Sequence, residues 1–240
     1  MKSSRITFFL GLAGFLAVSV VFGTAATTAD AQNKMTPQKA FEALLEGNDR
    51  FVHGLASHRD LSAEVEQTST GQYPLGVVLT CLDSRTAPET MFDQGIGDLF
   101  VGRIAGNFAA DDMIGSFEFA HKLAGAKVLA VVGHSSCGAV KGACDGAKMG
   151  NLTHTLAQLS PALDAVPASV QPRNAKNAAF VQKVADANVR LTVERVLDKS
   201  EVLRDMVKAG ELGVIGGMYD LNTGKVTFYK DTAHGLKMPK

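Results

Sequence analysis

The chain has 240 residues, with 24 basic and 24 acidic side chains and a formal net charge of zero. No stretch concentrates Lys and Arg, so neither nucleic acid nor an anionic membrane surface is implied as a partner. Three cysteines, Cys81, Cys137 and Cys144, are an odd number and cannot close into a complete disulfide set.

Lys2 and Arg5 precede an uncharged apolar run from Ile6 to Gly23, and small residues follow to Ala29 and Ala31. This three-part build predicts a secretory signal peptide over residues 1–31, cleaved before Gln32, in preference to a permanent membrane anchor. No twin arginine is present, so export of an unfolded chain, most simply to a bacterial periplasm, is expected. Residues 32–240 then form one domain. Export favours disulfides, so unpaired cysteines need another explanation, and metal ligation is one that protects thiols.

In chain order, "KMTPQKAFEALLEGNDRFVHG" predicts a helix with Thr36 as N-cap and Pro37 in its first turn. "QTSTGQYP" reads as a connector and "LGVVLT" as a strand buried on both faces. "DLFVGRIAG" is a second strand, "DDMIGSFEFAHKLAG" a helix stopped at Gly125, and "KVLAVVGHSSCGAV" a third strand entering a turn and a helix. Two long helical stretches follow, "NLTHTLAQLSPALDAV" and "NAAFVQKVADANVRLTVERVLDKSEVLRDMVKAG". "ELGVIGGMYDLNTGKVTFYK" closes the chain as an apolar strand, a turn and an alternating edge strand. Strands alternating with helices predict an α/β fold with a central, mostly parallel sheet of four parallel strands plus an edge strand, flanked by helices.

In such sheets, ligands collect at the C-terminal ends of the strands. Cys81 ends the first strand, and His134 and Cys137 follow the third as "GHSSC". Two thiols and an imidazole suffice for tetrahedral Zn2+ with its fourth position open, the catalytic arrangement; a structural site takes four protein ligands. Taken singly, Cys81 reads as core and His134 as a hydrogen-bonded strand end. H-x-x-C together with C-x-D-x-R, each at a strand end, favours the metal. No C-x-x-C pair supports a redox role, and Cys144, seven residues beyond Cys137, reads as packed. Asp83 and Arg85 then suggest a dyad in which Arg85 holds the carboxylate ionised and Asp83 orients the reacting oxygen; a plain loop ion pair is the alternative. Two thiolates cancel the charge of the metal, so stronger hydroxide chemistry is expected on the alkaline side of neutral.

These residues resemble the β-class carbonic anhydrases. The resemblance rests on "CLDSR" and "GHSSCGAV", supported by "GDLFVGRIAGN", "GSFEFAHKLAGAKVLAVVGH", "GGMYDLNTGKVTFY" and the helix "ALLEGNDRFVHG". It implies reversible hydration of CO2 to bicarbonate and a proton by attack of zinc-bound hydroxide. Cys81, His134 and Cys137 are then the ligands of one zinc per chain, and Asp83 and Arg85 the catalytic dyad. Gln72 matches a glutamine that reaches substrate from the partner subunit, and Phe100 and Ala105 match apolar residues of the CO2 pocket. Phe119 stands where plant-type members often carry tyrosine. Gln72 and the absence of tryptophan point to the subgroup not regulated by bicarbonate. The family's dimers, often paired into tetramers, imply an N-terminal helical arm packing on a partner subunit. The resemblance assigns no proton shuttle among His53, His58, His121, His154 and His234. A COS or CS2 hydrolase on the same scaffold and a catalytically silent zinc-binding interaction protein are the alternative readings.

Overall fold

The computed structural model describes residues 27–239. The charged start and apolar run of the expected signal peptide lie outside the described residues. Helix α1 (Ala29–Lys34) and helix α2 (Pro37–Val52) open the described chain, followed by α3 (Leu61–Thr68) and strand β1 (Gly76–Thr80). A short helix, α4 (Pro88–Met91), precedes β2 (Leu99–Arg103), and α5 (Asp111–Glu118) runs into a π-helical turn at Phe119–Leu123. Then come β3 (Val128–His134), α6 (Gly138–Cys144), α7 (Leu152–Ala157), α8 (Ser160–Ala165), α9 (Ala178–Lys199) and α10 (Glu201–Lys208). Strands β4 (Gly213–Tyr219) and β5 (Val226–Phe228) finish the fold.

The strands form one five-stranded sheet in the order β2-β1-β3-β4-β5. Four run parallel and β5 pairs antiparallel with β4 at the edge, as the sequence pattern predicts. Strand side chains alternate between faces, and two cores result. Val77, Leu79, Leu129, Val131 and Val214 face α5 and α9. Val78, Val128, Ala130, Val132 and Ile215 face α2 and Phe92. Strand β1 is buried throughout because both its faces are covered. Helix α9 comes very close to the sheet, since a Cβ on Gly133 or Gly216 would meet Val189 at 2.7 Å.

Thr36 caps α2 as expected, its hydroxyl accepting from the Lys39 N–H, and Gly125 ends the π turn at φ +77°. Three details differ from the sequence-based expectation. The connector before β1 is shorter, because Gln67 and Thr68 belong to α3, which Asp60 caps by accepting from the N–H groups of Ser62 and Ala63. The helical stretch at residues 151–166 divides into α7 and α8. The final long stretch breaks at Ser200, which ends α9 and caps α10 through the Leu203 N–H; its hydroxyl also donates to Glu118 at 2.6 Å. The apolar stripe of α2 is spent on this chain's own sheet, with Ala40, Phe41 and Leu44 fully buried there. That face is therefore occupied within the chain.

Candidate metal centre

The parallel strands deliver their C-terminal ends to one edge. Cys81 is the first residue beyond β1, on the α9-facing side with Val77 and Leu79. His134 is the last residue of β3, and Cys137 is the N-cap of α6. The reversal between them passes through Ser136 at φ +56°, a left-handed conformation that a non-glycine residue seldom adopts and that turns Cys137 back toward the strand end.

The two sulfurs lie 3.9 Å apart, and the ligand atoms of Cys81, His134 and Cys137 all fall within 4.8 Å of one another. Tetrahedral zinc with Zn–S bonds of about 2.3 Å would hold two thiolates roughly 3.8 Å apart. All three residues are buried. Nδ1 of His134 lies 2.9 Å from the Ser135 carbonyl, a contact that requires the proton on Nδ1 and leaves the lone pair on Nε2. That Nε2 is buried without a hydrogen-bond partner, an unfavourable state that a metal ion relieves. The donor set, its spacing and the orphaned nitrogen fit zinc.

The electrostatics agree. The Cys81 thiol is pulled down to about 4, first by the hydrogen bond from Cys137, with His134 and the N–H of Gly106 helping against desolvation. Cys137 is pushed up by that same shared hydrogen bond and by burial. Without a metal the pair shares one proton, and both thiols could ionise together only with a cation between them.

Asp83 stands beside the trio, its Oδ2 3.9 Å from His134 Nε2. Arg85 grips it in a fork, Nε to Oδ1 at 2.9 Å and Nη2 to Oδ2 at 2.7 Å, and the Arg85 backbone N–H adds a third bond at 3.0 Å. The Arg85 fork holds the Asp83 carboxyl well below the ordinary carboxylate range. The pair restrains an ionised carboxylate next to the orphaned nitrogen.

Other residues hold the trio's loop without having been singled out in the sequence. Arg103, the last residue of β2, donates from Nε to the Cys81 carbonyl at 3.2 Å and from Nη2 to the Asp83 carbonyl at 2.6 Å. Its position at a strand's C-terminal end was a usable signal. The buried Thr86 hydroxyl reaches the same two carbonyls at 3.0 and 2.9 Å, and nothing in the sequence marked it. The Gly106 N–H donates to Cys81 Sγ at 3.4 Å.

Of the expected substrate residues, only Ala105 lies beside the trio of its own chain. Ala105 lies in the loop after β2, next to Gly106. Phe100 pairs with Val77 across the sheet, four residues before Cys81 and so about 13 Å along the strand. It packs edge-on against Phe119, their rings 6.3 Å apart. Gln72 precedes β1, at the opposite end of that strand from Cys81. Among the histidines, His121 is buried, gives Nδ1 to the Ala126 carbonyl at 2.9 Å, and is pushed down to about 4 by desolvation. It is neutral near neutral pH and serves no proton relay. Cys144 ends α6, outside the trio, and burial pushes its thiol up.

A carbonic anhydrase family model matches residues 76–226, the span from β1 to β5. Carbonic anhydrase 2 of Mycobacterium tuberculosis is 33% identical over 190 residues, covering 79% of this chain and 91% of that protein. The solved Coccomyxa β-carbonic anhydrase in complex with acetazolamide superimposes with a TM-score of 0.63 at 26% identity, over 77% of this chain and 84% of that one. A tetrameric β-carbonic anhydrase of Sordaria macrospora shares the fold with a TM-score of 0.60 at 23% identity, over 80% and 98% of the two chains. On this evidence the chain belongs to the β-class of the carbonic anhydrases, zinc enzymes that interconvert carbon dioxide and bicarbonate.

Proposed function

We propose that Cys81, His134 and Cys137 hold the zinc, and that Asp83, restrained by Arg85, is the catalytic carboxylate. The observation that carries this reading is the orphaned, buried Nε2 of His134, facing two sulfurs 3.9 Å apart and the fixed Asp83 carboxylate. When bound, zinc supplies the Lewis acidity that makes water a nucleophile near neutral pH. Asp83, ionised, can only accept: at Oδ2 it takes a hydrogen bond from the attacking water and sets that oxygen's orientation toward the carbon of CO2. The Arg85 fork would keep this carboxylate from joining the three residues that would hold the metal. CO2 is small and apolar, so apolar side chains suffice to bind it.

The same reading takes the active form as a homodimer that is able to pair into a tetramer, as in the Sordaria macrospora neighbour. Gln72, Phe100 and Phe119 sit at the far end of β1 and β2 from their own metal site, so a substrate role for Gln72 and Phe100 belongs to a second copy's site, and Ala105 to its own. In support, the outer edge of β2 is unpaired among the described residues. Beside it, Val101, Met113 and Phe119 line a groove of about 300 Å³, and Phe119 and Leu123 are exposed. Sedimentation velocity of wild type and Phe119→Glu tests this; a wild-type monomer with full activity would refute it.

The protein is further proposed to be exported to the periplasm, the mature domain being residues 32–240. Lys2, Arg5 and the apolar run support this. The proposed cleavage falls inside α1 and keeps Gln32, whose buried amide donates to the Pro74 and Ala124 carbonyls at 2.8 and 2.9 Å. Cell fractionation with N-terminal sequencing tests it; full-length protein confined to the cytoplasm counts against it.

Metal analysis and stopped-flow CO2 hydration, beside Asp83→Ala, test the central reading. Zinc near one per chain without hydration activity would overturn it.

A further inference from the structure

Asn188 lies in the middle of α9, on the face that packs against the sheet, among Val184, Ala185, Val189 and Thr192. A polar amide in that stripe is unfavourable unless a hydrogen bond compensates it. Its Nδ2 donates to the Gly106 carbonyl at 2.7 Å, a contact spanning 82 positions of sequence. Gly106 sits at φ +85°, and a Cβ there would come within 3.0 Å of Leu159, so glycine alone suits the position. The N–H of this same residue donates to Cys81 Sγ.

Asn188 thus fixes one end of Gly106 and thereby aims the other end at a sulfur. We propose that Asn188 is a positioning residue for the metal centre. By clamping the Gly106 carbonyl it holds the Gly106 N–H on the Cys81 sulfur, which sets the sulfur's placement and its electron donation to zinc. This rests on the reading of Cys81, His134 and Cys137 as the zinc ligands. An N–H···S bond withdraws charge from a thiolate. Its loss leaves a more strongly donating sulfur on a looser loop, so zinc affinity and the energy of sulfur-to-metal charge transfer both respond. Outer partners of metal ligands typically influence affinity by about 10- to 100-fold.

Asn188→Leu keeps the branched outline and the number of side-chain heavy atoms, removes the donor and suits a helix better than Asn does. The zinc dissociation constant, measured by chelator competition, is expected to rise roughly tenfold or more, and the thiolate charge-transfer band of the cobalt(II)-loaded protein to shift. A purely structural role for Asn188 would change the thermal midpoint and leave that band in place. In the cadmium-113-loaded wild type, the Gly106 amide proton is expected to show scalar coupling to the metal through sulfur, and the coupling is expected to be lost in the variant. Zinc affinity within twofold of wild type with an unmoved cobalt band would overturn the proposal, as would coupling that survives in Asn188→Leu. Should the Leu variant not fold, Asn188→Asp, of the same shape with an acceptor in place of the donor, is judged by the same readouts. Cys137→Ser is the control for the site: zinc lost there sustains the ligand assignment, and zinc retained there overturns the assignment and the proposal with it.

Discussion

Thr86→Val removes one oxygen from a fully buried position and keeps the side chain's shape. The lost hydroxyl shares its proton between the Cys81 and Asp83 carbonyls, so the change falls on the two backbone groups that carry the proposed metal ligand and the proposed catalytic carboxylate. Neither carbonyl is orphaned. Cys81 keeps Arg103 Nε at 3.2 Å, and Asp83 keeps Arg103 Nη2 at 2.6 Å and its bond from the Thr86 N–H at 3.0 Å. The full penalty for an unsatisfied buried group therefore does not apply, and the cost is that of one neutral hydrogen bond, about 1 kcal/mol. For a chain of this size that lowers the thermal midpoint by roughly 2–4 °C. Expressed wholly in ligand placement, about 1 kcal/mol weakens zinc binding roughly fivefold. Chelator competition and thermal unfolding of the zinc-loaded protein read the two quantities separately. Thr86→Ser, which keeps the hydroxyl, is expected to behave as wild type for zinc. Adding Arg103→Met to Thr86→Val strips both carbonyls of side-chain donors, and the combined loss exceeds the sum of the single losses. Unaltered zinc affinity and stability in Thr86→Val, or a Ser variant as impaired as Val, would refute the reasoning.

Asp83→Ala is expected to retain zinc while losing at least about 100-fold in CO2 hydration; zinc content and stopped-flow rates on one preparation check this. Because Arg85 depresses the Asp83 carboxyl in the folded state, the pair's stabilisation is present above the ordinary carboxylate range and is lost only as pH falls through the lowered folded value. In Arg85→Gln that folded value rises toward normal, so acid unfolding of the variant begins at higher pH than in wild type, as circular dichroism would record. Ser200→Ala deletes the cap of α10 and leaves Glu118 without its partner. A loss of about 1–2 kcal/mol in denaturant unfolding is expected, with hydration activity unchanged, since Ser200 is remote from the trio in the fold. With two sulfurs offsetting the charge of the metal, hydration rates are expected to climb on the alkaline side of neutral, and a pH–rate profile peaking well below neutral would contradict the ligand set.

Much of this protein was legible in one dimension because the relevant physics is local. Uninterrupted apolar runs such as "LGVVLT" have one stable use, a strand covered on both faces, and alternation of such runs with helical periods leaves few topologies besides a parallel sheet. Thiols and an imidazole at two strand ends pointed to the candidate metal site before any coordinates, because parallel strands bring their C-terminal ends to one edge. The Asp83–Arg85 pair was readable for the same reason, its partners being two residues apart. What the sequence left open depends on contacts between distant segments. That α2 lies on its own sheet, that Arg103 grips the Cys81 loop, and that Asn188 reaches Gly106 are matters of which surfaces meet once the layers close. No periodicity encodes them; at most, a polar residue within the buried stripe of α9 signals that some partner must exist. The residue types by themselves determined which chemistry the chain performs, and the tertiary packing decided how firmly each ligand is held, because hydrogen-bond distances across 20 to 82 positions of sequence arise only when the whole core has formed.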